Sequence, residues 1–148
     1  MKRLDRKRKT KTLIFVFFFF MLAFIVCTAL QLTLSQWWLS GLSFVFVVIS
    51  LVAWAQIRAE NGNADSIPDD LLDEYERSVL DTWRKRAMKV FALLNGIGGF
   101  AFMLTGELID HPGSTALIAA GYFMLFTFLI VYPLPMIAYA ITFNRKED

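Results

Sequence analysis

Between Thr12 and Ile57 the chain carries no charged residue, a run of 46 consecutive positions. A hydrocarbon core about 30 Å thick takes roughly 20 helical residues, so such a run holds two membrane spans and a tight turn. The polar patch Gln31, Thr33, Ser35 and Gln36 divides it. The pattern predicts helix 1 from Leu13 to about Leu34 and helix 2 from Trp37 to Ile57. Trp37 and Trp38 then fall at one headgroup level and Trp54 near the other, where amphipathic rings are favoured.

Composition extends the point to the rest of the chain. Of 148 residues 57% are hydrophobic and 19% charged, against about half and a quarter in soluble domains. That balance, with a net charge of only +2, excludes a disordered chain, a secreted disulfide scaffold and a basic nucleic-acid binder. Cys27 is the single cysteine, so an internal disulfide, a CxxC pair and a thiolate zinc cluster are excluded. The thiol enzymes built on four membrane helices go with them. His111 is the single histidine, which removes any site needing two imidazoles.

Arg58 to Lys89 is the one long polar stretch. Its Gly and Asn content marks residues 59–65 as a loop. Ser66-Ile67-Pro68-Asp69 then has the form of a helix start: a Ser cap, Pro in the first turn and an acid three residues on. At 100° per residue, Leu71, Leu72, Tyr75, Val79, Leu80, Trp83 and Ala87 share half of the helix circumference, which predicts an amphipathic helix. Its acids come first, from Asp69 to Asp81, and Arg84, Lys85, Arg86 and Lys89 come last. Both ends therefore complement the helix dipole. Glu76 and Arg86 fall within the apolar half, which argues against deep burial in lipid and leaves room for a protein partner.

Helix 3 is expected from about Lys89, whose stem can snorkel, to Gly106. Helix 4 is expected from about Ser114 to Phe143, kinked at Pro133 and Pro135. All 15 positive charges lie in the N-terminal tail, the central segment or the C-terminus, and none in the 1-2 or 3-4 loop. The positive-inside rule then places both termini and the central segment in the cytoplasm. Helix 1 is expected to stay as a span, because its 18-residue apolar run from Leu13 to Leu30 exceeds a signal-peptide core and lacks an A-x-A site.

The expected fold is therefore all-α: a polytopic plasma-membrane protein of four transmembrane helices with a cytoplasmic amphipathic helix between helices 2 and 3. Its parts are a basic tail (1–12), a first transmembrane hairpin (13–57), a cytoplasmic loop and helix (58–88), a second hairpin (89–143) and a short tail (144–148).

Chemistry inside the membrane is sparse. No ionisable residue falls near a predicted midplane, where proton-coupled transporters usually keep one. Helix 1 also lacks the acid on which small four-helix multidrug exporters depend. Outside the cytoplasm Glu107, Asp110 and His111 stand at i, i+3 and i+4, a weak candidate set for a hard divalent metal or a titrating imidazole. No catalytic residue, metal ligand set or cofactor is otherwise expected. Asn95-Gly96-Ile97-Gly98-Gly99 allows close helix approach, with Thr115/Ala119 and Ala116/Ala120 as matching small pairs on helix 4. Asn95, Gly96, Gly98, Gly99, Ala116 and Ala120 are thus the expected packing residues, either between helices 3 and 4 or at an oligomer seam.

Leu72-Asp73-Glu74-Tyr75-Glu76-Arg77, followed by Arg84, Arg86 and Ala87 just before a span, resembles a pattern in uncharacterised small integral membrane proteins of bacteria, notably actinobacteria. Tyr75 departs from their usual Asp-Glu-Arg-Glu core. The resemblance covers residues 72–87 and implies a bacterial inner-membrane protein with a membrane-proximal cytoplasmic helix; it implies no activity.

Together these readings point to a non-enzymatic accessory, assembly or regulatory component. Its partner surface would be Leu72, Tyr75, Glu76, Val79, Trp83 and Arg86, and its partners the lipid bilayer and another membrane or cytoplasmic protein, with no nucleic acid. The alternative is a homo-oligomeric channel or transporter for a small solute. An enzyme built on Glu107, Asp110 and His111 is the third reading.

Overall fold

The computed structural model describes residues 2–34, 36–68, 70–108 and 113–146. Side chains are described for 8–34, 36–68, 70–105, 113 and 115–143. Among the described residues the fold is helical without a strand: α1 (Lys2–Leu34), α2 (Trp37–Glu60), a 3-10 turn (Ala64–Ser66), α3 (Glu74–Leu108), α4 (Ser114–Val131) and α5 (Leu134–Lys146). Four helical segments are long and apolar enough to cross a membrane: Arg8–Leu34, Trp37–Glu60, Glu74–Thr105 and Thr115–Phe143.

α1 and α2 form a close antiparallel hairpin. Small hydroxyl residues line part of the seam, and Ser50 Oγ donates to the Phe46 carbonyl at 3.0 Å and reaches the Phe17 carbonyl of α1 at 3.5 Å. Thr28 satisfies its hydroxyl on the Phe24 carbonyl one turn back, so burial in an apolar medium leaves no donor orphaned there. Phe17, Met21 and Phe24 of α1 meet Ala53 and Ile57 of α2, and Leu129, Ile137 and Ala140 complete this core from α4 and α5. α1 also runs on past Leu13 into the basic tail, where Lys9 pairs with Glu60 at the end of α2.

α2 stops where its cap residues demand it. Asn61 donates its side-chain amide to the Ile57 carbonyl at 2.8 Å, and Asn63 N–H closes on the Arg58 carbonyl at 2.8 Å. Gly62 (φ 67°) and Asn63 (φ 52°) take up left-handed backbone, which turns the chain back toward α5.

The next helix does not start at Ser66. Residues 64–66 form the 3-10 turn, and α3 starts at Glu74 behind a different cap. Asp73 Oδ1 accepts from Glu76 N–H at 2.6 Å, and Glu76 Oε2 accepts from Asp73 N–H at 3.4 Å, a reciprocal capping box. By pattern alone, either start would satisfy helix-end donors. The later one also frees Ala64 and Leu72 to pack with Leu80 against Met136 and Tyr139 of α5.

The amphipathic segment is likewise not a separate helix. It is the first part of α3, which runs unbroken for 35 residues. At 1.5 Å per residue α3 is about 52 Å long, about 20 Å more than the thickness of a hydrocarbon core. The fourth apolar segment, expected as one kinked helix, is interrupted at Tyr132–Pro133. Neither Pro133 nor Pro135 has an N–H for the carbonyls of Leu129 and Val131, so two rungs of the ladder are lost together.

α4 and α5 pack on the α1–α2 hairpin on one side and on α3 on the other. Lys9 with Glu60, and Glu76 with Tyr139, bring the start of α1, the end of α2, the start of α3 and α5 to one end of the bundle.

Candidate functional site

Where α3 passes the break between α4 and α5, a cavity of about 500 Å³ lies between them. Ala87, Met88 and Phe91 wall it from α3, and Phe128, Val131, Tyr132, Pro135 and Met136 from the other side. The interrupted ladder shapes this wall, because the two prolines set α5 off from the line of α4. Tyr132 is held by Phe128 (ring centroids 5.2 Å, stacked) and by Trp54 of α2 (5.5 Å, edge-on).

One end of the cavity is polar. Arg84 Nη2 donates to the Asp65 carbonyl at 3.2 Å, and its Nη1 reaches Asp81 Oδ1 at 3.5 Å. The Asp65 carboxylate pairs with Arg58 Nε at 3.0 Å, and the Arg58 guanidinium lies 5.1 Å from the centre of the Trp54 ring. Two ion pairs, Arg58–Asp65 and Arg84–Asp81, are thus joined through the Asp65 main-chain carbonyl, linking α2, the 3-10 turn and α3. Arg84 and Asp65 are thereby fixed side by side in the lining of a mostly apolar space.

The second polar feature ties α3 to α5. Tyr139 is buried and its hydroxyl donates to Glu76 Oε1 at 2.7 Å. Phe143, one turn on, packs on Tyr139 at 4.3 Å and edge-on to Tyr75 at 5.6 Å.

This latch engages part of the expected partner surface within the chain itself. Leu72, Tyr75 and Glu76 meet α5 of their own chain, because Tyr139 and Phe143 stand at i and i+4 on a helix that the proline break delivers there. Val79 and Trp83 are half-buried, and Arg86 is exposed with its guanidinium 5.0 Å from the Trp83 ring centre. These three form the flank left open beside the latch.

Of the expected packing residues, Gly98 makes the close approach. A Cβ there would lie 2.2 Å from Phe123 Cε1 of α4. Gly96 and Gly99 have nothing within 4 Å of a Cβ, and Asn95 donates to the Phe91 carbonyl of its own helix at 2.9 Å rather than across an interface. Ala116 and Ala120 are half-buried on α4. The side chains of Glu107, Asp110 and His111 lie outside the described residues; among those described, no three His, Cys, Asp or Glu residues gather as a metal site.

Residue-by-residue reading of the sequence missed Arg58, Asp65, Tyr139 and Phe143. The i, i+4 aromatic pair was a visible signal on helix 4. The pairing of Arg58 with Asp65 depends on the tight turn at residues 61–63 and had none. Comparison with protein-family models, with curated proteins and with solved structures gave no match to the chain.

Proposed function

We propose that the chain is a non-enzymatic accessory or regulatory component of a bacterial inner membrane, with both termini cytoplasmic, that engages another protein through the projecting part of α3. The observation that carries this reading is the combination of a long unbroken helix with the Tyr139–Glu76 latch. The projecting arm is held in one orientation, so its open flank of Val79, Trp83 and Arg86 is a fixed surface rather than a flexible tail. Arg77, Lys85, Arg86 and Lys89 are all exposed on this arm. An acidic partner surface with an apolar recess for Trp83 is the complement.

Photo-crosslinking in native membranes tests this reading. A crosslinker at Val79 or Arg86 should trap one discrete protein, lost in Trp83→Ala, while one at lipid-facing Leu93 should trap none. The same bands from all three positions would overturn it.

The alternative is a homo-oligomer acting as a channel or transporter. The open backbone at Gly96 and Gly99 favours it, since a second copy could approach α3 closely there. Gly96→Leu with Gly99→Leu should then lower the mass of the detergent-solubilised particle; an unchanged mass argues against it.

A further inference from the structure

The cavity beside Arg84 lies at the level where α3 changes character. Arg84, Lys85, Arg86 and Lys89 fall within six residues, and from Val90 to Gly106 no charge follows. On a helix that enters a bilayer, this boundary is the headgroup level. The space is large enough for part of a ligand, since small-molecule sites run to roughly 300–1,000 Å³. Its walls are mostly apolar, and Arg84 lines it together with Asp65, so a guanidinium stands beside hydrocarbon as an amphiphile requires.

The charge in that lining has a sign. Asp65 is already neutralised by Arg58, and Asp81 is the single acid on α3 between residues 80 and 90. Against it Arg84 lines the space itself, while Lys85, Arg86 and Lys89 are exposed and off the lining. A guanidinium offers five N–H donors in a planar fork that matches phosphate, and it engages an oxygen alongside backbone and carboxylate contacts. Basic recesses between membrane helices at the headgroup level are the recognised setting for anionic lipids.

We propose that this cavity is a binding site for an anionic phospholipid. An acyl chain lies between Met88, Phe91 and Phe128, and the phosphate sits on Arg84. The occupant is a lipid rather than a free phosphate because the greater part of the lining is hydrocarbon. The site is independent of the partner flank, since Val79 and Arg86 do not line it.

Native mass spectrometry of the full chain in mild detergent, titrated with phosphatidylglycerol or phosphatidylcholine of identical acyl chains, tests the proposal. One phosphatidylglycerol per chain should be retained, with a preference of about fivefold over phosphatidylcholine, the scale of one basic residue near the surface. Arg84→Gln should abolish that preference. Met88→Trp, at an exposed position on the rim, should lower retention of both lipids by filling the space without disturbing the core. Lys89→Gln removes an equal charge off the lining and should leave the preference in place. Inorganic phosphate at millimolar concentration should not displace the lipid. Equal retention of the two lipids, an equal loss in Lys89→Gln and Arg84→Gln, an unaltered Met88→Trp, or displacement by phosphate would each overturn the site.

Discussion

At Gly98 a hydrogen atom is what allows α3 to touch α4. Any side chain there meets the Phe123 ring, which also packs edge-on to Phe102 at 5.7 Å, so the ring must shift against that neighbour to admit it. Gly98→Ala should therefore lower stability by about 1–3 kcal/mol, the usual scale of overpacking. Gly96→Ala and Gly99→Ala should be neutral or stabilising by up to about 1 kcal/mol, since both remove helix-disfavouring glycine from open space. Unfolding in mixed detergent, with Phe123→Leu as a second-site rescue of Gly98→Ala, checks both signs. The glycine cluster was visible in the sequence as a place of close approach. Which glycine mattered was not, because that depends on where one ring of another helix comes to lie. The latch behaves the same way. Tyr139→Phe removes the donor to Glu76 Oε1 and should cost about 1–3 kcal/mol by the same assay, the scale of a hydrogen bond to a charged group.

At the scale of elements, the start of α3 shows how two equally good local signals are decided. Ser66 and Asp73 each precede a suitable acid by three residues, and pattern alone favoured the first. The later start wins because residues 64–73 then carry Ala64 and Leu72 onto Met136 and Tyr139, a tertiary contact that no local rule contains. Asp73→Ala should fray the first turn of α3 at a cost of about 1 kcal/mol, seen as faster amide exchange at residues 74–78. Helix 4 was legible in outline from Pro133 and Pro135. What the break is for became visible only when α5 was seen to carry Tyr139 and Phe143 to α3. Pro133→Ala with Pro135→Ala restores two backbone donors and should straighten the segment. Spin-label distances between α5 and the first turn of α3 should lengthen as the latch separates.

For the whole molecule, the four apolar segments were legible because lipid enforces length and freedom from charge over whole spans. The way they assemble was not, since all-round apolar helices carry little directional pattern. In the assembled chain, Lys9 with Glu60 and Tyr139 with Glu76 gather the charged segments at one end. A membrane-impermeant thiol reagent, applied to a Cys27→Ser background, should therefore label cysteines at Asn63 and Ser78 from the same face. Labelling from opposite faces would contradict the shared end.

α3 packs mainly on α4 and α5 and is otherwise exposed, a stiff rod touched along one side. Its close glycine approach to α4 is at Gly98, 15 residues from Trp83, or about 22 Å along the axis at 1.5 Å per residue. Geometry makes such a rod a lever with its fulcrum in the uncharged stretch of α3. A tilt of about 10° about Gly98 carries Trp83 sideways by about 4 Å on that 1.5 Å rise. The Tyr139–Glu76 hydrogen bond lies farther out on the same rod than Trp83, so it restrains such a tilt at the longest arm.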